Sequence, residues 1–293
     1  MPPKKPKKTQ WILLATLVII MLVLMFIVIA LGFWAVKNGN SQASSIRTTS
    51  PQYHDNQHVS GNDQNRGEAT GLKQERDRSQ IYRLSKGFEF LHHPGGVIPG
   101  GRYLNLTKEN SCSFGWTVVS DEFPGVPLNL TAGHCGDAGD KIGIQEPDGS
   151  IKEIGEFVWT TGWNGKENPD WALIKTYGVP VQSALPIDGY NFSDWVNHSY
   201  LNSNKPYSCS LGFRSGISCG EFIEMTNEIT MSFESISDHG DSGGPIWVFD
   251  PNSNKVYAAA VNSWGESTDA TAAKVVLIEP VMQEFGLKLV VPD

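Results

Sequence analysis

Basic residues are scarce in this 293-residue sequence, which carries 23 lysines and arginines against 31 aspartates and glutamates, a net charge of −8. This charge balance argues against a nucleic acid partner. Cysteines are also few: there are four, and no two are spaced as Cys-x-x-Cys. Because structural zinc sites commonly use such pairs, the sequence gives no support for a metal site, and we expect no cofactor.

Helical periodicity is nearly absent from about residue 98 to the end of the chain. In its place, short apolar or alternating runs recur between turn signals, such as Pro-Asp-Gly-Ser at 147–150. The predicted strands cover residues 113–119, 126–130, 141–145, 151–159, 171–175, 228–233, 245–248, 256–261 and 274–278. Many short strands at close spacing favour an all-β, antiparallel sandwich or barrel. Helix start and stop signals occur only in the tail, from Pro280 to Phe285, which Gly286 follows.

Residues 11–36, which begin with Trp11 and end with Val36, contain no charged side chain. A helix of this length reaches about 39 Å, enough to cross a hydrocarbon core of about 30 Å. The run is longer than the apolar region of a cleavable signal peptide, about 7–15 residues, so we expect an uncleaved signal anchor. Residues 1–10 carry four lysines and no acid, which predicts a cytoplasmic tail and an extracellular location for everything after the anchor.

Residues 37–80 are rich in polar side chains and predict a disordered stalk. The next segment, residues 81–97, is ambiguous, since Ile81, Leu84 and other apolar side chains suffice to pack onto a neighbouring domain. The globular domain is expected over residues 98–293.

Two pairs of histidines lie in or near the stalk, at positions 54 and 58 and at positions 92 and 93. Because no cluster of cysteines or acids accompanies them, we interpret them as solvated polar side chains.

The four cysteines all follow the predicted membrane segment. An even number of cysteines in an exported domain predicts disulfides, although the sequence alone leaves three pairings open. We favour the local pairing, Cys112 with Cys135 and Cys209 with Cys219.

Two short motifs carry chemistry, Thr-Ala-Gly-His-Cys at 131–135 and Gly-Asp-Ser-Gly-Gly-Pro at 240–245. A serine hydroxyl is a weak nucleophile until a neutral imidazole accepts its proton, and a carboxylate must hold that imidazole in one tautomer. Between the two motifs, Asp170 stands immediately before an apolar run. The order His134, Asp170, Ser242 is one of the chain orders in which a catalytic triad occurs.

These motifs resemble those of chymotrypsin-like serine proteases, and most closely the bacterial branch of streptogrisins and alpha-lytic protease. The resemblance extends from about residue 98 to the C-terminus. It rests on Ile-Pro-Gly-Gly at 98–101, Cys-Ser-Phe-Gly at 112–115, Thr-Ala-Gly-His-Cys-Gly at 131–136, Ala-Val-Asn-Ser-Trp-Gly at 260–265 and Phe-Gly-Leu at 285–287. It implies two six-stranded antiparallel Greek-key β-barrels with a short C-terminal helix, an active site between the barrels, and the two local disulfides.

The resemblance also implies a role for each matching residue. The backbone N–H groups of Gly240 and Ser242 would form the oxyanion hole, where glycine permits close approach and an unusual turn. Ser263 would face the carboxylate of Asp170. Substrate contacts would come from His239 and Asn262 in the primary pocket, and from Ser263, Trp264 and Gly265 beside an extended peptide.

The chain departs from the bacterial relatives at two positions. Ile236 replaces a cysteine six residues before the nucleophile, which excludes a third disulfide and weakens the case for a lysine or arginine preference. Ser210 replaces an arginine that pairs with the aspartate preceding the nucleophile. Asp241 therefore needs another partner, because a buried unpaired carboxylate is costly, and Arg214 is the nearest candidate.

The sequence thus predicts a membrane-anchored, extracellular serine endopeptidase that acts on peptides or proteins. Two alternatives remain open: a catalytically inactive binding module with the same fold, and a protease released from the membrane by processing, for example by a cut near residues 97 and 98. The oligomeric state is not predicted.

Overall fold

The computed structural model describes residues 81–165, 168–187, 191–250, 252–253, 255–266 and 269–291. The predicted cytoplasmic tail, membrane segment and stalk, residues 1–80, lie outside these ranges. No helix within the described ranges is both long and apolar enough to cross a membrane.

The described chain is built mainly from strands, in two sheets. The first sheet contains β2 (Arg102–Asn105), β3 (Asn110–Ser113), β4 (Trp116–Val119), β5 (Leu128–Thr131), β6 (Lys141–Gln145), β7 (Ile151–Thr160), β8 (Ala172–Thr176) and β17 (Lys288–Leu289). The second sheet contains β1 (Tyr82–Leu84), β9 (Asn191–Trp195), β10 (Ser208–Gly212), β11 (Gly216–Gly220), β12 (Phe222–Met225), β13 (Thr230–Glu234), β14 (Pro245–Phe249), β15 (Lys255–Glu266) and β16 (Asp269–Leu277).

The all-β prediction is confirmed, but the sheets are not two rings of six antiparallel strands. They are curled half-barrels of eight and nine strands, in the orders β17-β4-β5-β8-β7-β6-β2-β3 and β1-β11-β10-β14-β15-β16-β13-β12. The ninth strand of the second sheet, β9, lies beside β15 in parallel orientation. The added strands β1, β9 and β17 are two to five residues long, too short for their side chains to show a period.

Within the described ranges, two short helices and two 3-10 helices connect the strands. Helix α1 (His198–Asn204) was not predicted, although Asn197 caps it by accepting the N–H of Tyr200 at 2.9 Å. Helix α2 (Glu279–Glu284) lies in the tail, where the sequence signals placed a helix. The 3-10 helices are Glu89–His92 and Gly133–Cys135.

The two ends of the described chain are exchanged between the sheets. Strand β1 precedes the first sheet in sequence but pairs with β11 of the second. Strand β17 follows the second sheet but pairs with β4 of the first. Each sheet is therefore completed at one edge by the distant end of the chain.

Two buried indole groups connect the sheets. Trp116 on β4 donates its Nε1–H to the carbonyl of Ala260 on β15 at 2.8 Å. Trp171, just before β8, donates its Nε1–H to the carbonyl of Leu277 on β16 at 3.0 Å. Since both indoles are at least 96 % buried, these bonds hold the sheets in one relative position without competition from water.

We predict that Trp116→Phe lowers the free energy of unfolding by more than Trp247→Phe does. Both substitutions remove a similar buried volume, but the N–H of Trp247 has no acceptor among the described residues, whereas the N–H of Trp116 makes a buried hydrogen bond to the second sheet that phenylalanine cannot make. The excess should be about 1–3 kcal/mol in denaturant titrations. Equal losses for the two variants would show that the bond between the sheets contributes nothing.

Candidate active site

The carboxylate of Asp170 is fully buried where the first sheet meets the second. Its Oδ1 accepts the backbone N–H of His134 at 2.7 Å, and its Oδ2 lies 2.8 Å from Nδ1 of the same histidine. The hydroxyl of Ser263 also donates to Oδ2. Because a buried carboxylate is a strong acceptor, it fixes the Nδ1–H tautomer of His134 and leaves Nε2 free to accept a proton.

Local structure in the first sheet aims His134 and Asp170 at each other. The 3-10 helix that carries His134 follows β5 directly, and Asp170 stands at the start of β8, the neighbour of β5. The hydroxyl of Thr160 donates to the carbonyl of Gly133 at 3.1 Å, and that of Thr161 accepts the N–H of Trp171 at 2.9 Å. These bonds tie the histidine turn to the residue beside the aspartate.

Ser263 reaches Asp170 from the second sheet because β15 has a bulge at this point. The register with β16 shifts between Asn262 and Trp264, so that Ser263 has no opposite residue. A bulge redirects the side chain of the extra residue, and here it delivers the hydroxyl to the carboxylate. The interaction spans the crevice between the sheets.

Ser242 lies in the turn before β14, on the second sheet. Its hydroxyl is 3.5 Å from the carbonyl oxygen of Ser263, longer than an ordinary O–H···O bond, and no hydrogen bond joins it to the described ring of His134. In enzymes without a bound substrate, the hydrogen bond between a serine hydroxyl and a histidine base is often long, and it shortens when substrate is bound. The N–H of Gly243 donates to the carbonyl of Asn262 at 2.7 Å, which fastens the Ser242 turn to the same strand.

The turn at 240–242 presents two unused backbone donors. Neither the N–H of Gly240 nor that of Ser242 has an acceptor among the described residues. Gly240 has a φ of +105°, a conformation that side-chain-bearing residues rarely adopt. Ser113 supports the turn, since its hydroxyl donates to the carbonyl of Gly240 at 2.9 Å and its N–H donates to the carbonyl of Ser242 at 2.8 Å. An anionic oxygen could be bound by both free donors.

Asp241 is buried, and its partners are peptide groups rather than a cation. Its Oδ1 accepts the N–H groups of Arg214 at 2.9 Å and Ser215 at 3.1 Å, and its Oδ2 accepts the N–H of Asp238 at 2.8 Å. Arg214 was the expected partner, but its guanidinium lies 3.5 Å from Asp238 instead. Burial raises the pKa of Asp241, and the three peptide donors oppose that effect.

Two tryptophans lie beside His134. Trp264 was predicted from the sequence, and Trp163 was not. The ring of Trp163 meets His134 edge-on with centroids 5.7 Å apart, and meets Trp264 with centroids 5.8 Å apart. Trp163 is 47 % exposed, so the pair forms an open aromatic wall. A bulky aromatic residue between Gly162 and Gly165, shortly before Asp170, was the available signal.

The other predicted substrate residues, His239, Asn262 and Gly265, lie directly before the serine turn or on β15. His239 is exposed, and its N–H donates to the side chain of Asp238 at 2.8 Å. Asn262 is 4 % exposed and donates from Nδ2 to the hydroxyl of Ser237 at 2.8 Å. Gly265 lies opposite Ala273 at the end of the β15–β16 pairing.

The disulfides are the two local ones, Cys112–Cys135 and Cys209–Cys219. The first is directly adjacent to His134, and its sulfurs and the imidazole lie close enough together to resemble a metal site. Since both sulfurs are in the disulfide, they are not thiolates and would be poor metal ligands. The bond anchors the histidine turn to β3.

His92 was expected to be solvated, but the structure places its ring edge-on to Phe213 with centroids 5.2 Å apart. Burial, with Arg102 and Arg214 nearby, lowers the pKa of His92. The ring therefore meets Phe213 as a neutral aromatic group near pH 7.

No protein-family model matches the chain, and no curated protein matches it. Solved structures share its fold. Protease A of Thermobifida fusca is 19 % identical with a TM-score of 0.51, and a protease of Nocardiopsis is 19 % identical with a TM-score of 0.50; each match covers 67 % of this chain and 99 % of the other. The chymotrypsin of Cellulomonas bogoriensis is 20 % identical over the same shares, with a TM-score of 0.47. The first two of these neighbours are chymotrypsin-like serine proteases, so the chymotrypsin-like fold is confirmed, with sheets of eight and nine strands in place of the expected six-stranded barrels.

The raised pKa of Asp241 predicts a pH-dependent stability. Below about pH 4 the carboxyl is protonated whether the chain is folded or unfolded. As the pH rises through the higher pKa of the folded state, the unfolded state loses its proton first, so the folded protein loses stability. The free energy of unfolding of the wild type, minus that of Asp241→Asn, should therefore fall as the pH rises from 4 toward neutrality. A difference that rises with pH would show that the three peptide donors outweigh burial.

Proposed function

We propose that the chain is a serine endopeptidase that hydrolyses peptide bonds through an acyl-enzyme. The observation that carries the proposal is the buried Asp170 carboxylate, which holds His134 by two hydrogen bonds beside a serine turn with two unused N–H donors. A pure binding module would gain nothing from a buried charge that orients an imidazole, because burying a charge costs free energy. The chymotrypsin-like fold supports the same proposal.

The reaction follows from the position of each group. The oxygen of Ser242 attacks the peptide carbonyl carbon while Nε2 of His134 accepts the hydroxyl proton. The carbonyl oxygen becomes an oxyanion and is bound by the N–H groups of Gly240 and Ser242. His134 then protonates the leaving amine, and the carbon–nitrogen bond breaks to leave an ester. Water, deprotonated by the same histidine, hydrolyses the ester and restores Ser242.

An extended substrate would add to the edge of β15. The pairing of β15 with β14 ends at Val261, whereas its pairing with β16 continues past Trp264. One edge of residues 263–265 is thus left without a strand, and a peptide can supply one. Side chains of that peptide would lie against Trp163 and Trp264, which favours apolar residues there.

Anchoring to a membrane by residues 11–36, with the catalytic domain outside the cell, is the second part of the proposal. Its support is the uncharged run, the lysines before it and the two disulfides, which form in oxidising compartments. We expect the full-length protein to stay in the membrane fraction after carbonate extraction and to be degraded by protease added outside intact cells. Recovery of the domain in the medium, shortened at its N-terminus, would support the released form instead.

We predict that Ser242→Ala lowers kcat by about 10⁴- to 10⁶-fold, and that Asp170→Asn lowers it by about 10⁴-fold. The measurement is cleavage of a diverse peptide mixture by the full-length protein, read by mass spectrometry, which also gives the bond preference. The matched control is Ser203→Ala, an exposed serine of helix α1 outside the site. The set of peptide bonds cleaved by Trp163→Ala should lack those that have an apolar residue next to the residue at the cleaved bond. Correctly folded wild type that cleaves nothing and reacts with no serine-directed probe would favour the inactive binding module.

A further inference from the structure

Residues 81–93, which the sequence left ambiguous, pack against the turn that joins β10 to β11, residues 213–216. Strand β1 pairs with β11, and Nε of Arg83 donates to the carbonyl of Ser215 at 3.3 Å. Ser218 connects the same strand to the next loop, since its hydroxyl donates to the carbonyl of Tyr82 at 3.2 Å and accepts the N–H of Ile236 at 2.8 Å. Ile236 begins the loop that leads to the nucleophile.

The 3-10 helix of this segment contacts the same turn from a second side. Leu91 is completely buried in the core that also contains Phe213 and Ile217. The ring of His92 meets Phe213 edge-on, and the guanidinium of Arg102 lies 5.5 Å from the centroid of that phenylalanine. Phe213 is therefore contacted both by His92 of this segment and by Arg102 of β2.

The turn at residues 213–215 supports the turn at residues 240–242, which presents the two proposed oxyanion donors and is called the oxyanion turn below. The ring of Phe213 fills the space beside Gly240, where an added Cβ would lie 2.7 Å from it. The N–H groups of Arg214 and Ser215 bind the side chain of Asp241. Gly240, one of the two proposed oxyanion donors, and Asp241, which lies between them, thus contact the turn against which residues 81–93 pack.

The peptide link between Val97 and Ile98 is part of this folded structure. Val97 is 1 % exposed, its N–H donates to the carbonyl of Pro180 at 2.9 Å, and its carbonyl accepts the N–H of Gln182 at 2.8 Å. A protease needs an accessible, extended segment, so this bond is protected in the folded chain. Asp241 has its partners without a new N-terminus created by cleavage.

We propose that residues 81–93 are a built-in brace for the oxyanion turn and that the chain is catalytically competent without a cut at residues 97–98. The inference rests on the proposed function, and Arg83 and His92 are positioning residues, not catalytic ones. The brace acts through Phe213 and the peptide groups of residues 214 and 215. Its removal should impair stabilisation of the oxyanion while leaving the substrate-binding edge of β15 in place.

The first test is labelling of the full-length wild type, in detergent, with a fluorophosphonate that reacts with activated serines. We expect stoichiometric labelling at Ser242 on chains whose intact mass shows no cut between residues 97 and 98. Labelling confined to cut chains would overturn the brace proposal and leave the proposed function standing. Absence of labelling on both cut and uncut chains would overturn the proposed function and the brace proposal with it.

The second test compares the adjacent histidines in the full-length protein. His92→Ala should lower kcat and the labelling rate about 3- to 10-fold with KM nearly unchanged, the scale of an aromatic edge contact. His93→Ala is the matched control, since His93 is exposed and its Nδ1 lies 3.4 Å from the carbonyl of Gln145 rather than against Phe213, and it should leave kcat unchanged. His92→Phe, which keeps an aromatic edge, should restore kcat.

A purely structural role for His92 would lower the number of titratable sites and leave kcat per site unaltered, and that result would overturn the proposal. If His92→Ala does not fold, Arg83→Ala provides the same test at an exposed residue, with Lys86→Ala as its control. Wild-type kcat per titrated site in Arg83→Ala would contradict the brace.

Discussion

The carboxylate of Asp170 is the interaction on which the rest of the domain depends. It is fully buried, and its three bonds come from both sheets: two from His134 on the first and one from Ser263 on the second. A buried charge is tolerated only when its partners are in place, so any displacement of one sheet relative to the other is costly. The indole bonds of Trp116 and Trp171 maintain the same alignment a short distance away.

The turn at residues 240–242 is set by a second constraint, the satisfaction of a buried acid without a buried base. Ser210 stands where the sequence resemblance leads one to expect an arginine, and no cation among the described residues pairs with Asp241. Peptide N–H groups surround Asp241 instead, and Gly212 makes room for it, since a Cβ there would lie 2.3 Å from the carboxylate oxygen. Peptide donors have fixed positions, so the pairing depends on backbone shape rather than on one replaceable side chain.

The strands could be predicted, and His134 and Ser242 could be singled out as candidates, because both leave local traces in the sequence. Residues 141–145 alternate cleanly and form β6 with the predicted bounds, while the motifs around His134 and Ser242 are compact. Strand β1, helix α1 and the contact of Trp163 with His134 left weaker traces. The strand and the helix are short, and all three features depend on residues that are distant in sequence. Tertiary context overrides local sequence preference in such cases.

The polar end of the β15–β16 hairpin escaped prediction from the apolar pattern, and residues 260–265 were singled out only through the family resemblance. An apolar pattern was found only over residues 256–261 and 274–278, whereas the strands extend over Lys255–Glu266 and Asp269–Leu277. The strand residues that the apolar pattern did not include are partly polar, among them Ser263 and its neighbour Trp264, and their side chains are suited to the candidate site rather than to the core. Local rules of patterning fail where a strand serves a site, because selection there acts on chemistry.

Because β1 and β17 each pair with a strand of the other sheet's half of the chain, strand pairing is completed only late in synthesis. Strand β1 is synthesised before the other strands, but it cannot pair until β11 has been synthesised. The first sheet lacks its edge strand until β17 has been synthesised. A partly synthesised chain thus exposes unpaired strand edges on both sheets. A chain truncated before β17 would leave β4 with an open edge in the sheet that carries His134 and Asp170, so the loss of two residues that follow the second sheet would affect the sheet that was synthesised before it.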